Sequence, residues 1–284
     1  MNGLHSRGKT WFDALTSRAG GEQGGPVRAA DAPLGGERAR FIAVVPDPLN
    51  RFVRARDNVV GLEQGWHLAR AVREALEADR DATHKRPLIA IVDVKSQAYG
   101  RREELLGIHL ACAGAVDAYA SARLAGHPVI ALIVGPAMSG AYLAHGYQAN
   151  RIIALDAPGT TVHAMGKEAA ARVTRRSVEG LEALGDTVLP MSYKMSAYAK
   201  LGLLHELIDG VDADAPAAAD IERVRASLIA AVADARSGPR DLSNRLASAD
   251  AKRTRAASIE ARRRLAEQWD QDPDQDPGQD RDAT

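Results

Sequence analysis

The sequence predicts an α/β fold, and three observations point to it. Unbroken apolar runs of strand length recur, as in PLIAIVDV (Pro87 to Val94), PVIALIV (Pro128 to Val134) and RIIALD (Arg151 to Asp156); such runs suit strands covered on both faces. Two of these strands lead into loops of small residues, and a helical pattern begins where each loop ends. Beyond Gly210 the periodicity is helical.

Taken in order, residues 1 to 36 are expected to form a flexible arm. GLHSRGKT, Gly3 to Thr10, satisfies the phosphate-cradling pattern G-x-x-x-x-G-K-[ST], but two residues precede it, so no strand can deliver the loop. The stretch TWFDALTSRAGGEQGGP offers at most one short helix before a glycine-rich run. RFIAVV, Arg40 to Val45, is the first strand, ended by the turn PDPLN. Leu62, Trp66, Ala69, Val72 and Leu76 recur at three- and four-residue steps and predict a helix over 62–78. PLIAIVDV then leads through KSQAYG into one long helix over 102–124, and PVIALIV leads through GPAMSG into the helix AYLAHGYQ. The strand RIIALD and a short strand TTVHAM, Thr160 to Met165, follow. Residues 167 to 183 read as helix, KMSAYAKLG ends in a glycine stop, and LLHELID reads as a short strand. Ile221, Val224, Leu228 and Val232 mark an amphipathic helix, and Asp241 is placed to cap another that continues to Trp269. The expected divisions are an arm (1–36), a domain (37–246), a C-terminal helix (247–269) and a disordered acidic tail (270–284) without apolar anchors.

Composition excludes several partners. Lys plus Arg equals Asp plus Glu at 37 each in 284 residues, so no global field recruits nucleic acid or an anionic membrane. The single cysteine, Cys112, cannot form an internal disulfide, and it sits among alanines of a helix, where a small buried hydrophobe is expected. No segment approaches the roughly 20 apolar residues of a membrane span, and no signal-peptide core opens the chain. The cytoplasm is the expected compartment. His205-Glu206 begins a zinc-protease pattern, but Asp209 stands where the second histidine is required, so no metal is expected. Lys95, Arg101 and Arg102 are placed to hold a phosphate or a partner's acid, while Glu103 and Glu104 complement the start of a helix.

The loops SQA and AMSGA have small residues at the carboxyl ends of strands, where a substrate can approach N–H groups that a new helix leaves unpaired. A pair of such groups makes an oxyanion hole; equally, small residues permit a tight strand-to-helix turn. AMSGA also imitates the elbow of serine hydrolases, with His163 on the neighbouring strand, an order resembling Clp-type peptidases. There the nucleophile lies in Ser-Met-Gly, whereas this chain has Met138-Ser139-Gly140, one residue out of register.

Residues 93 to 176, with the motifs SQAYGRREE, SGAYLAHG and VHAMGK in order, resemble the gamma subunit of biotin-independent malonate decarboxylase. More distantly they are similar to the carboxyltransferase half of acetyl-CoA carboxylase and to the crotonase superfamily. The resemblance covers roughly residues 37 to 246. It implies a crotonase-like (ClpP/crotonase) core of repeated strand-strand-helix units with C-terminal helices. One departure stands out: Asp93-Val94-Lys95-Ser96 replaces the Asp-Thr-Pro-Gly of many relatives.

The resemblance further implies a homologous beta subunit, an acyl-carrier subunit bearing a phosphoribosyl-dephospho-CoA arm, and an acyl-transferase alpha subunit. Beta and gamma together decarboxylate the malonyl thioester to the acetyl thioester and carbon dioxide, with no biotin and no cofactor held by this chain. Charge grows on the thioester oxygen as carbon dioxide leaves, so backbone amides near Gln97-Ala98 and at Ser139-Gly140-Ala141 are the expected donors, one hole serving the leaving carboxylate or surviving from an ancestral biotin site. Tyr99, Gly100, His163, Gly166 and Lys167 are the expected substrate-binding positions, orienting the acyl group, the carrier arm or a protonating water. A serine hydrolase using Ser139 and His163 is the alternative.

Overall fold

The computed structural model describes residues 6–17 and 25–269. Among them the strands are β1 (Val27–Leu34), β2 (Glu37–Val44), β3 (Val59–Val60), β4 (Leu88–Val94), β5 (Ser96–Gln97), β6 (Val129–Met138), β7 (Arg151–Leu155), β8 (Val162–His163) and β9 (Glu206–Ile208). The helices are α1 (Arg7–Thr16), α2 (Leu62–Ala78), α3 (Arg101–Leu105), α4 (Ile108–Leu124), α5 (Ser139–Ala144), α6 (Lys167–Thr174), α7 (Val178–Thr187), α8 (Met195–Lys200), α9 (Ala218–Ser237), α10 (Ala249–Thr254) and α11 (Ala256–Trp269). The main sheet has the order β1-β2-β4-β6-β7-β9, with β8 also paired to β6; β1 runs antiparallel to β2 and the other pairs are parallel. β3 and β5 form a separate parallel pair.

The apolar runs explain this layering. Successive side chains of a strand point to opposite faces. Ile42, Ala90, Val92, Ala131 and Ile133 therefore pack under α2, α4 and α5, while Phe41, Ile89, Ile91, Ile130 and Leu132 pack under α1 and α9. Strands with water on neither face need no polar alternation, which is why they read as unbroken runs. No described helix is long and apolar enough to cross a membrane.

Several expectations require correction. The arm expected over 1–36 contains α1 and β1: Trp11 and Leu15 are fully buried against the sheet, the Trp11 indole N–H donates to Ala213 O at 3.0 Å, and β1 pairs with β2 along its whole length. The domain thus begins well before residue 37. A glycine-rich stretch separates the two elements, and α1 finds its partners far away in sequence, as Trp11 does at Ala213. The phosphate-loop pattern is also resolved: Ser6 Oγ and the Gly8 N–H donate to Asp93 Oδ2 at 3.1 and 3.0 Å, so the start of α1 is taken by the protein's own carboxyl group.

The long helix over 102–124 is broken at Gly107, whose φ of 82° lies in the left-handed region that glycine tolerates. GPAM belongs to β6 rather than to a loop, and α5 starts at Ser139. TTVHAM shrinks to Val162–His163. Residues 167–183 divide into α6 and α7 at Arg175, another left-handed residue. Trp66 is half exposed, the face of α2 being built instead on Leu62, Gly65, Leu68 and Val72. Asp241 accepts from Ser243 within a short turn, and the helix expected to run through to Trp269 is two helices, the first capped by Ser248. The tail at 270–284 lies outside the described residues.

One buried histidine gives the fold a pH dependence. His145 is fully buried, with Nε2 at 2.9 Å from Ile91 O and Nδ1 at 3.0 Å from the Tyr119 hydroxyl. This arrangement suits a neutral ring that donates from Nε2 and accepts at Nδ1. Burial pushes its pKa from 6.5 down to about 4. The unfolded chain therefore binds the proton first as pH falls, and stability present above pH 6.5 is lost through the window down to about 4. Urea unfolding of the full chain at pH 7 and 4.5 should show this group's share as roughly 2–3 kcal/mol. His145→Gln should have a flatter profile; an unchanged slope would remove His145 as the cause.

Candidate functional site

Loops that follow β4, β6 and β8 gather at the strands' carboxyl ends, the edge where open α/β sheets place ligands. Pairing of Met138 with His163 sets β8 beside the end of β6. From the other side, Gln97 reaches across, and its Oε1 accepts the Gly140 N–H at 2.9 Å. The two small-residue loops thus meet at Gln97 and Gly140.

Local chemistry holds each loop. Ser139 turns from strand to helix at φ 57°, and its hydroxyl donates to Ala164 O at 2.7 Å. The left-handed conformation costs a residue with a side chain roughly 1–2 kcal/mol. The absence of a side chain at Gly140 leaves room for the crossing, since a Cβ there would stand a tight 3.2 Å from Gln97 Oε1. The first loop is tied to β3: the Lys95 N–H donates to Asn58 O at 3.0 Å and the Ala98 N–H to Val60 O at 2.8 Å. A proline in place of Lys95 would have no N–H to donate to Asn58. The Lys95 ammonium pairs with Asp57 at 2.7 Å.

A second group of expected residues gathers around Tyr193, which the sequence did not single out. The His163 ring stacks on Tyr193 with centroids 4.1 Å apart, Lys167 Nζ lies 5.6 Å from the same ring's centre, and the Tyr193 hydroxyl donates to Met165 O at 2.7 Å. Burial holds His163 below the usual imidazole range, against the raising effect of its hydrogen bond to Met165. Gly166 caps α6, and Lys167, its first residue, pairs with Glu182 beside a cavity of about 240 Å³ that Met191 and Tyr193 also line. Tyr193 carried no signal in sequence, since only the fold brings it under β8.

The remaining expected positions divide. Ala141 is fully buried, and Tyr99 is more than half exposed. Gly100 starts α3 in a space where a Cβ would come within 2.7 Å of Arg54 Nε and 2.8 Å of Glu103 Oε2. Arg102 stacks over Phe52, and Arg101 is exposed. Ser139 and His163 are neighbours without forming a dyad: Ser139 Oγ is engaged by Ala164 and His163 Nδ1 by Met165, and no hydrogen bond joins the two described residues. Cys112 is half-buried, and burial together with Glu104 pushes its thiol up to about 11, far from a nucleophile's range. His205 lies 3.7 Å from Asp234, at the other end of the sheet's strands.

The family model for the malonate decarboxylase gamma subunit matches residues 55–269. The malonyl-S-ACP:biotin-protein carboxyltransferase MADD of Malonomonas rubra is 35% identical over 185 residues, 64% of this chain and 63% of that protein, so the match spans less than two thirds of that relative. Among solved structures, a Pseudomonas malonate decarboxylase hetero-tetramer in complex with coenzyme A is 59% identical at a TM-score of 0.87, covering 93% of this chain and 100% of that one. The Pseudomonas MdcD-MdcE hetero-dimer is 58% identical at 0.85 with the same coverage. Transcarboxylase 12S, 20% identical over 75% of this chain and 36% of that one at a TM-score of 0.56, shares the fold.

Proposed function

Because the chain belongs to the malonate decarboxylase gamma-subunit family, we propose that it works with a homologous beta subunit, in the cytoplasm, to decarboxylate a malonyl thioester carried on an acyl-carrier subunit. An acyl-transferase alpha subunit loads the carrier. The observation that carries the site assignment is the meeting of Gln97 with Gly140 at the carboxyl ends of parallel strands.

In this reading the bond between the carboxyl carbon and the α-carbon breaks, and its electron pair passes into an enolate whose charge gathers on the thioester oxygen. Carbon dioxide leaves, and the α-carbon takes a proton from water. Donors aimed at that oxygen lower the barrier without nucleophile, metal or biotin, and each typically contributes about 2.7–4 kcal/mol. Tyr99 and the exposed guanidinium of Arg101 flank the first loop, where the pantetheine and phosphates of a phosphoribosyl-dephospho-CoA arm would enter. His163, Tyr193 and Lys167 line the far side, with the imidazole held neutral near pH 7. The serine-hydrolase alternative lacks the hydrogen bond on which its nucleophile depends.

Exposed apolar side chains support a place for the beta subunit beside the site. Tyr99, Leu105, Leu106 and Leu110 stand 55–78% exposed on the loop before α3, on α3 itself and at the start of α4, next to the site. Apolar groups so concentrated mark an interaction surface. Leu106→Asp should abolish co-purification with the beta subunit and with it turnover, while circular dichroism of the free chain stays unchanged; an intact hetero-dimer would move the interface elsewhere. The function itself is tested by carbon dioxide release from a malonyl thioester. Release is expected from the co-expressed pair and not from this chain alone; a silent pair would overturn the reading.

A further inference from the structure

We infer that the donor this subunit presents to the thioester oxygen is the side-chain amide of Gln97, its Nε2–H2 group, and not the backbone amide of Gly140. The inference rests on the decarboxylase reading for the identity of that oxygen. Of the backbone amides expected to form holes, those of Ala98 and Gly140 are already engaged, the first by Val60 O at 2.8 Å and the second by Gln97 Oε1 at 2.9 Å. A substrate oxygen arriving at Gly140 would have to displace a formed hydrogen bond. No such displacement is required at Gln97 Nε2.

Chemistry fixes which end of the carboxamide faces Gly140. The Gly140 N–H donates, so it must meet the oxygen; the flipped amide would set donor against donor. With Oε1 held there, the NH2 group is left to donate elsewhere, 3.7 Å from where a Gly140 Cβ would stand. Among the described residues no group accepts from Nε2, and Nε2 is not one of the fully buried polar atoms left without a partner, so it keeps contact with solvent at the loop junction. Gln97 itself is half-buried, which restrains the carboxamide while leaving its end accessible.

The arrangement has a functional advantage over a free backbone amide. Donation from Gly140 to Oε1 polarises the carboxamide, and chained hydrogen bonds strengthen one another by about 10–30% per bond. Nε2 is thus a better donor than an isolated amide, aimed by a rigid partner rather than by its own flexible stem. Ser139 at φ 57° and Gly140 without a side chain build the support, and their place at the elbow is explained by the glutamine they hold.

Gln97→Glu separates this role from a structural one. A glutamate oxygen still accepts the Gly140 N–H, so the loop crossing is retained, but the donors are lost and a like charge faces the developing oxyanion. In the co-expressed pair with the beta subunit, kcat should fall about a hundredfold or more with KM little changed. Gln97→Ala should also lower kcat, but by less, because it frees the Gly140 N–H to act directly. A Gln97→Ala pair as fast as wild type or faster would show instead that the glutamine merely obstructs the hole, and would overturn the proposal. A readout independent of turnover is the infrared C=O band of acetyl-CoA, labelled with carbon-13 at the acetyl carbonyl, bound to the pair. In the wild type it should move to lower frequency, and in Gln97→Glu that shift should vanish. If the wild-type pair releases no carbon dioxide but shows the Gln97-dependent shift, the decarboxylase reading fails and the donor role stands; a band unaffected by the substitution overturns the donor role whatever the turnover.

Discussion

Asp93→Ala is expected to destabilise the chain by about 3–4 kcal/mol and to release α1 from the sheet. Asp93 is buried at the end of β4, and its Oδ2 accepts from Ser6 Oγ, the Gly8 N–H and Asn58 Nδ2 at 3.1, 3.0 and 2.9 Å. Truncation leaves three donors facing a void that cannot satisfy them, and each buried unsatisfied group costs about 1–3 kcal/mol when it cannot relax. Two of the three lie at the start of α1, so the loss should localise there. Ser6→Ala is the milder companion: Ser6 Oγ also caps α1 by accepting from the Lys9 N–H at 3.2 Å, so its removal costs one bond to Asp93 and a cap worth about 1 kcal/mol. Gly135→Ala attacks the same carboxyl from the other side, since a Cβ there would fall 2.3 Å from Asp93 Oδ1. Denaturant unfolding ranks the three, and amide hydrogen exchange over 7–16 reports on α1. Wild-type protection of that helix in Asp93→Ala would show that Trp11 and Leu15 hold it without the carboxyl.

The same residue shows how far the sequence can be read. The parallel strands β2, β4, β6 and β7 were legible because burial on both faces leaves a signal within each segment, and so was the order of strand, small-residue loop and helix; β1 was not. Asp93 is the one charged residue in PLIAIVDV, and a lone carboxyl in a buried run already asks for donors, but it does not say where they come from. Two of the three come from Ser6 and Gly8, more than 80 residues away, and that distance is why the N-terminal segment looked like an arm. Local periodicity identifies a helix such as α1 only when its neighbours in sequence support it; Trp11 is instead held by Ala213. The site followed the same division. Both loops and the family were evident from SQAYGRREE and SGAYLAHG, whereas Tyr193 and the occupation of the Gly140 amide depend on tertiary placement. Small residues announced that something approaches the backbone closely. Here the near neighbour is Gln97.

Gly140→Val should reduce turnover of the assembled pair by about a hundred- to a thousandfold, which corresponds to roughly 2.7–4 kcal/mol of transition-state stabilisation. The Cβ alone meets Gln97 Oε1 at 3.2 Å and Cδ at 3.3 Å, and the two methyl groups of valine extend farther into the same space. The carboxamide has to leave, because it is the flexible partner and the elbow backbone is not. Fold stability should change little: Gly140 lies in the first turn of α5, has no positive φ, and its replacement crowds the end of a side chain rather than the core. Gly140→Ala should fall between the two, since a few tenths of an ångström of movement by Gln97 relieves it. Carbon dioxide release from a malonyl thioester, with size-exclusion chromatography to confirm the pair, checks both variants. Graded loss with intact assembly ties the chemistry to the Gln97–Gly140 contact, whereas full activity in Gly140→Val would mean that the reacting groups lie wholly in the beta subunit and that the two loops of this chain only shape the interface.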